Sequence, residues 1–184
     1  MLYRLLSMLI LLFMGSCYPS DVSNKYYGCY KEKEGFALIN ILDYGSFEEL
    51  CQRAEEIVCH DSIPVIEVKH NNKSSILSLG NSCWKKYICI LRKRRNVLKI
   101  VDNTVHLGKP LDSLQNLMHR HYHNYGKLEF HSDKPQKATI SITYKSNELK
   151  ELNPLLVDII NVFDSIGIDD LTCLNITLEK DKQI

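Results

Sequence analysis

Three closely spaced histidines form the densest group of side chains in this chain that could do chemistry. On a helix, His119 and His123 would share a face one turn apart, while His121 would point elsewhere. Two imidazoles at that spacing could bind zinc or copper. No H-E-x-x-H pattern accompanies them, and His106 or His131 could add a third ligand only if the fold brings them close. A hydrated helix end is the commoner meaning, so no cofactor is expected and a histidine-metal enzyme is an alternative function.

Cysteine is the second reactive residue type, with seven copies in the chain. None forms a C-x-x-C pair, so zinc on these thiols is not expected. If the leader described below ends at or before Cys17, an even number remains, as is typical of disulfides formed in an oxidising compartment. The pairing stays open; a bridged Cys173 would join the two halves of the chain, and otherwise it is a buried thiol. The disulfide candidates are Cys29, Cys51, Cys59, Cys83, Cys89 and Cys173.

The composition favours binding over catalysis. The G-x-S-x-G, P-loop and dinucleotide-binding glycine patterns are missing, and cysteines held in disulfides cannot act as nucleophiles. We therefore predict no catalytic residue and a non-enzymatic protein. The 23 Lys and Arg residues nearly balance the 22 Asp and Glu residues, which leaves a formal charge of +1 and no overall field to attract nucleic acid. The expected partner is a protein or a glycan, not a nucleic acid.

The first seventeen residues have the pattern of an export signal. Arg4 supplies a positive charge, residues 5–13 form an apolar run, and small residues lead to Cys17. The run is shorter than the ~20 apolar residues that span a bilayer. We predict residues 1–17 as a signal peptide and the protein as secreted or otherwise extracytoplasmic. Because residues 14–17 also approximate a bacterial lipobox, the alternative is a cell-envelope protein that contacts the membrane only through a lipid on Cys17.

Two asparagines are candidate glycosylation sites in a eukaryotic host. Asn72 and Asn175 each begin an Asn-x-Ser/Thr acceptor. Asn72 lies in a polar stretch that predicts a loop. Asn175 lies in the predicted last strand, where a glycan would fit only on an exposed face.

A run of four cations marks the predicted internal boundary. Arg92, Lys93, Arg94 and Arg95 fit the R-x-K/R-R sites that proprotein convertases cut in exposed, flexible segments. The alternative is a solvated loop, which is the usual meaning of a charge run. Either interpretation separates a cysteine-rich half, residues 18–95, from a second half, residues 96–184.

The cysteine-rich half is predicted to combine one helix with short strands. Ser46 and Glu49 form a capping box, which predicts a helix over residues 47–58 with Leu50, Ala54 and Val58 on its buried stripe. Aromatic and aliphatic runs predict strands at residues 26–30, 35–41, 64–68, 76–79 and 84–91.

The second half predicts a hairpin, two helices and further strands. The hairpin turns at Asp102-Asn103, Asp112 opens a helix to about residue 123, and Asn153 caps a helix that Gly167 ends. Ala138, Ile140, Ile142 and Tyr144 alternate with polar residues as in a strand that faces a core. The whole pattern predicts an α+β fold with small mixed sheets, two or three packing helices and a disulfide-stapled N-terminal half. Extended segments are expected at residues 97–101, 104–107, 127–131, 138–144 and 172–178.

Three segments of the second half resemble one known family. Residues 98–103 (LKIVDN), 139–142 (TISI) and 157–168 (VDIINVFDSIGI) are similar to the periplasmic domain of the ExbD/TolR family, small α+β proteins of bacterial envelope motors. The resemblance implies a lipid-anchored envelope protein related to these transport components. Family members couple proton flow through an acidic residue in a membrane helix, and residues 5–16 contain none. The resemblance therefore implies an interaction role without the proton-driven one.

The front half resembles a different family. Residues 26–30 (YYGCY), 37–38 (AL) and 46–51 (SFEELC) are similar to WSC-type extracellular modules, which are cysteine-rich. The later cysteine pattern of those modules is not reproduced. This resemblance implies binding to carbohydrate or to a cell surface.

Overall fold

A computed structural model describes residues 25–30, 35–70, 73–81, 83, 94–105, 108–144, 149–168 and 172–180. Over these ranges the chain forms three α-helices and two mixed β-sheets, which confirms the predicted α+β class. Among the helices in these ranges, none has both the length and the apolar character needed to cross a bilayer.

The first sheet is built around a hairpin with a parallel strand added at each edge. Strands β3 and β4 pair antiparallel, while β1 pairs parallel to β4 and β2 pairs parallel to β3. The strand order is therefore β1-β4-β3-β2. The strands are β1 (Lys25–Tyr27), β2 (Phe36–Ile39), β3 (Ile63–His70) and β4 (Lys73–Ser78).

Helix α1, Phe47–Cys59, connects β2 to β3 and begins at the predicted capping box. The Glu49 backbone N–H donates to Ser46 Oγ at 3.2 Å, and the Glu49 carboxylate accepts from the Gly45 N–H at 2.9 Å. Both contacts pair backbone donors at the helix start. Leu50 and Ala54 are fully buried, as predicted, whereas Val58 is only partly buried and Ile57 completes the buried stripe.

The second sheet has the order β7-β6-β5-β8-β9. The parallel strands β5, β8 and β9 form one part, and the antiparallel pairs β5-β6 and β6-β7 form the other. The predicted hairpin turn lies between β5 and β6, where Asp102 and Asn103 have φ of 46° and 61°. The strands are β5 (Val97–Val101), β6 (Thr104–Val105), β7 (Lys109–Pro110), β8 (Thr139–Thr143) and β9 (Ile176–Leu178).

Helices α2 (Leu114–Tyr122) and α3 (Leu152–Ser165) begin differently from the sequence prediction. Asp112 does not open α2, because it lies in the preceding 3-10 turn, Leu111–Ser113. Asn153 does not cap α3, because the helix already begins at Leu152 and the Asn153 amide donates to the Lys69 carbonyl at 3.4 Å. Gly167 has the expected positive φ, 61°, just after α3.

Strand β8 is covered on both faces. Ala138, Ile140, Ile142 and Tyr144 face the core, as predicted. The alternate residues Thr139 and Ser141 are also buried, although they are polar, with Ser141 only 1% exposed. A strand in the middle of a sheet is commonly buried on both sides, so the alternation predicted the strand but not the cover on its polar face.

The two sheets meet between β4 and β9. Leu79 forms a parallel bridge with Ile176, and the Gly80 N–H donates to the Ile176 carbonyl at 2.7 Å. The Asn81 side chain then behaves like a further strand residue, since it accepts from the Leu178 N–H at 3.1 Å and donates to the Leu178 carbonyl at 2.8 Å. One hydrophobic core includes residues from both sheets and all three helices.

Candidate interaction site

Two disulfides brace the described part of the chain. Cys59 is joined to Cys83 within the cysteine-rich half, which links the end of α1 to the segment after β4. Cys29 is joined to Cys173 across 144 residues of sequence. The partner of Cys173 therefore lies in the front half, where a bridged Cys173 was expected to pair. This bridge ties the segment after β1 to the segment before β9.

Cys51 is not bridged, contrary to its place among the disulfide candidates. It lies on the buried face of α1, is fully buried and carries a free thiol. Burial raises the pKa of this thiol from 9.0 to about 12, with a smaller contribution from Glu55. A thiol with so high a pKa is inert as a nucleophile, so Cys51 serves as a small core residue.

The histidine pair has the predicted arrangement. The His119 and His123 rings stack with centroids 4.4 Å apart, and His123 Nδ1 lies 3.1 Å from the His119 carbonyl oxygen. His121 points away and is buried, with Nε2 3.2 Å from the Asn96 carbonyl oxygen, and its ring meets His131 edge-on. Within the described ranges, no group of three or more His, Cys, Asp or Glu side chains is placed to hold a metal ion.

The end of the basic run is part of the folded structure. Arg94 and Arg95 belong to a 3-10 turn, Arg94–Asn96, that leads directly into β5. The Arg95 guanidinium forms an ion pair with the Asp133 carboxylate, and Asn96 is buried. Cleavage after Arg95 would therefore require this turn and its side-chain contacts to open.

Asn175 is engaged by its neighbours. Its side-chain amide donates to Thr139 Oγ1 at 3.2 Å. Its Oδ1 packs so closely on Gly80 that a Cβ there would lie 2.1 Å away, which explains the glycine. A glycan on the Asn175 amide nitrogen would have to displace these contacts.

Several predicted features lie outside the described residues. They are the signal peptide, the lipidation candidate Cys17, the strand at residues 84–91, Asn72, Cys89, Arg92, Lys93 and His106.

The most distinctive surface feature is a loop of residues 124–132, here named the Asn124 loop. It exposes Tyr125, Leu128 and Phe130, whose exposed fractions are 60%, 52% and 72%. Residues 127–131 were predicted to be extended, and this prediction is wrong because they form turns and bends. Leu128 and Phe130 alternate with polar residues as in a strand, but here the apolar side chains point to solvent.

One buried amide holds the Asn124 loop together from inside. The two N–H groups of the Asn124 side chain are shared among the carbonyl oxygens of Leu128 at 2.9 Å, His131 at 3.1 Å and Ser132 at 2.9 Å from the nitrogen. Its Oδ1 accepts from the Leu128 N–H at 2.7 Å. Asn124 is 4% exposed, so these bonds replace water that the loop backbone would otherwise need.

A second set of polar contacts anchors the base of the loop to the start of β5. The Asn96 Oδ1 accepts from Ser132 Oγ at 3.2 Å and from the Asp133 N–H at 3.0 Å. The ion pair between Arg95 and Asp133 lies beside these bonds. Arg95, the last residue of the basic run, and Asn96 after it therefore position the Asn124 loop, a role that the charge pattern does not indicate.

The sequence carries a local signal for this loop. Tyr125 and Gly126, directly after Asn124, have φ of 46° and 78°. An Asn-x-Gly segment is typical of tight turns, because glycine tolerates a positive φ and the asparagine side chain can bond the backbone that follows it. This signal would have favoured a loop over a strand at residues 127–131.

Comparison of the chain with models of known protein families, with curated proteins and with solved structures gives no match. The resemblances to the ExbD/TolR and WSC families therefore stay predictions.

Proposed function

We propose that this chain is an exported, non-enzymatic protein that binds a partner protein through the Asn124 loop. The observation that carries the proposal is the combination of three large exposed apolar side chains with a backbone held by the buried Asn124 amide. Tyr125, Leu128 and Phe130 are exposed close together in sequence, and exposed apolar surface is typical of interaction sites.

The rigidity of the loop supports binding. Association immobilises side chains and loops, and a loop that is already ordered loses less conformational entropy. Aromatic side chains are also enriched among the residues that dominate interface energetics. Tyr125 and Phe130 fit that role, with Leu128 between them in sequence.

The charges of the loop favour a protein over an anionic bilayer. Its two formally charged residues, Lys127 and Glu129, have opposite signs. A loop that inserts into an anionic membrane usually gains from an excess of lysine and arginine.

The disulfides support the exported part of the proposal. Bridges such as Cys29–Cys173 and Cys59–Cys83 are compatible with an oxidising, extracellular compartment. Non-reducing peptide mapping of the native protein should show both bridges and an alkylatable Cys51 after unfolding. Free thiols at Cys29, Cys59, Cys83 and Cys173 would contradict export.

Site-specific photo-crosslinking tests the binding surface. We would place benzoylphenylalanine at position 130, and in a matched control at position 42, where Leu42 is 86% exposed in a different region. In the native host, position 130 should give one discrete protein adduct, and Leu128→Ser in the same molecule should remove it.

Two results would contradict the proposed function. One is the same set of adducts from positions 130 and 42, which would mean non-specific contact. The other is co-sedimentation of the protein with phosphatidylcholine–phosphatidylserine vesicles that Phe130→Ser abolishes, which would assign the loop to a membrane.

A further inference from the structure

A groove of about 400 Å³ lies between the first sheet and helix α3, far in sequence from the Asn124 loop. Its volume falls within the range of small-molecule sites. We name it the basic groove. Its lining residues are Lys25, Tyr27, Val68, His70, Lys73, Ser74, Ser75, Val157, Ile160, Asn161 and Asp164.

Strand register builds one wall of the basic groove. Val68 on β3 pairs with Ser75 on β4, which pairs with Lys25 on β1, so the three form one row across the sheet. His70 and Lys73 pair in the next row on the same face. Paired residues point to the same side of a sheet, and this row structure brings donors from three strands together.

Helix α3 builds the opposite wall. Val157, Ile160, Asn161 and Asp164 recur at three- and four-residue spacing and so share one face. Val157 and Ile160 are buried and, with Val68, give the groove an apolar floor. Asn161 is exposed at the rim, where its amide can donate a hydrogen bond.

Among the described residues, one carboxylate lines the basic groove, and it is already engaged. Asp164 Oδ1 lies 2.8 Å from Lys25 Nζ, and Asp164 Oδ2 accepts from the Tyr27 hydroxyl at 2.6 Å. The Lys25 ammonium also lies 4.9 Å from the centre of the Tyr27 ring. The hydrogen bond with Asp164 raises the pKa of Lys25, so its ammonium is kept and balances the carboxylate. The charge of Lys73 therefore gives the groove an excess of positive charge.

We propose that the basic groove binds a small ligand with an oxyanion group, a carboxylate or a sulfate, attached to a short apolar body. Lys73 supplies the charge, and Ser75 and Asn161 supply hydrogen-bond donors around it. Val68, Val157 and Ile160 contact the apolar body. A metal cation does not fit, because the lysine ammonium groups repel it and each Asp164 oxygen already accepts a hydrogen bond.

Amide-resolved NMR titration of the full chain tests this site with three probes that share a phenyl ring. Benzoate and phenyl sulfate carry the two oxyanions, and benzyl alcohol is the neutral control. Benzoate, phenyl sulfate or both should give saturable shifts at His70, Lys73, Ser75 and Asn161. Benzyl alcohol should bind at least about tenfold more weakly, because it lacks a charge-assisted hydrogen bond.

Two lysine variants separate the groove from general surface charge. Lys73→Gln should weaken oxyanion binding about tenfold or more. Lys69→Gln makes the same charge change on the neighbouring strand but on the other face, beside Glu67, and should leave the affinity within about twofold. Asn161→Ala should weaken binding about threefold, as expected for one neutral hydrogen bond.

Three results would overturn the proposed site. They are shifts that do not saturate with either anion, equal binding of benzyl alcohol, and an equal loss of affinity in Lys69→Gln and Lys73→Gln. None of these results bears on the Asn124 loop, because the two sites share no residue.

Discussion

The Asn124 loop buries the Asn124 amide and exposes three large apolar side chains, whereas the basic groove has an apolar floor and a polar rim. The loop is held by bonds between residues close in sequence, with Asn96 at its base. The groove is held by contacts between residues more than 130 positions apart, such as Tyr27 and Asp164. Local bonds make the loop largely independent of distant parts of the chain, whereas the groove depends on the packing of helix α3 against the first sheet.

The largest effect should come from the long disulfide. Replacing both Cys29 and Cys173 with Ser should lower the free energy of unfolding by about 5 kcal/mol, because the bridge closes a long segment of chain. Removing Cys59 and Cys83, which are 24 residues apart, should cost about 3.5 kcal/mol. Urea denaturation checks both values.

The variant without Cys29–Cys173 also tests whether the Asn124 loop depends less than the basic groove on distant parts of the chain. Loss of Cys29–Cys173 should loosen β1 and the basic groove and leave the amide resonances of residues 124–132 unchanged. Equal changes in both regions would mean that the loop is not independent.

After the two disulfides, the next largest effect should come from Asn124. Asn124→Ala removes bonds to four backbone groups and leaves buried partners unsatisfied, which should cost about 3 kcal/mol. Asn116→Ala, at an exposed position of α2, should change stability by less than about 0.5 kcal/mol. Limited proteolysis should show new cleavage at residues 125–131 in the first variant only.

These two regions also show what the sequence could predict. Helix α1 and the Asp102-Asn103 turn were predicted because their signals lie within a few residues, such as the capping box at Ser46. The basic groove was not predicted, because Lys25, Ser75 and Asp164 meet only through strand register and the docking of α3. Likewise, sequence left open which cysteine bridges Cys173.

The Asn124 loop shows a different limit. Its alternation of Leu128 and Phe130 with polar residues predicted a strand, since period-two patterns usually mean a half-buried strand. The pattern carries no information on which side faces solvent. Four bonds to one amide gave the backbone an alternative to strand pairing.

Cys51 belongs to neither region, and its buried thiol allows a separate test of the hydrophobic core. Its thiol titrates near 9.0 when unfolded and at about 12 when folded, so ionisation favours the unfolded chain as the pH rises through this window. The free energy of unfolding should therefore fall by about 1.4 kcal/mol between pH 8 and pH 10 because of Cys51 alone. In Cys51→Ala this part of the fall should disappear, and an unchanged pH profile would contradict the burial of the thiol.

The smallest effect should come from the contacts of Asp164 with Lys25 and Tyr27 at the basic groove. Asp164→Asn removes a largely exposed ion pair with Lys25, which should cost about 0.5–1 kcal/mol. Burial and the bond to Asp164 raise the pKa of Tyr27, so ultraviolet titration should show its ionisation at lower pH in this variant. An unchanged Tyr27 titration would mean that the hydrogen bond between Tyr27 and Asp164 is not formed in solution.

Hydrogen exchange of the Leu128 amide measures whether the Asn124 loop is already ordered before it binds a partner. This amide donates to the Asn124 Oδ1 at 2.7 Å, while its own side chain is exposed. We expect exchange about a hundredfold slower than in an unstructured chain, with the protection lost in Asn124→Ala. Exchange of the native protein at the unstructured rate would contradict this expectation.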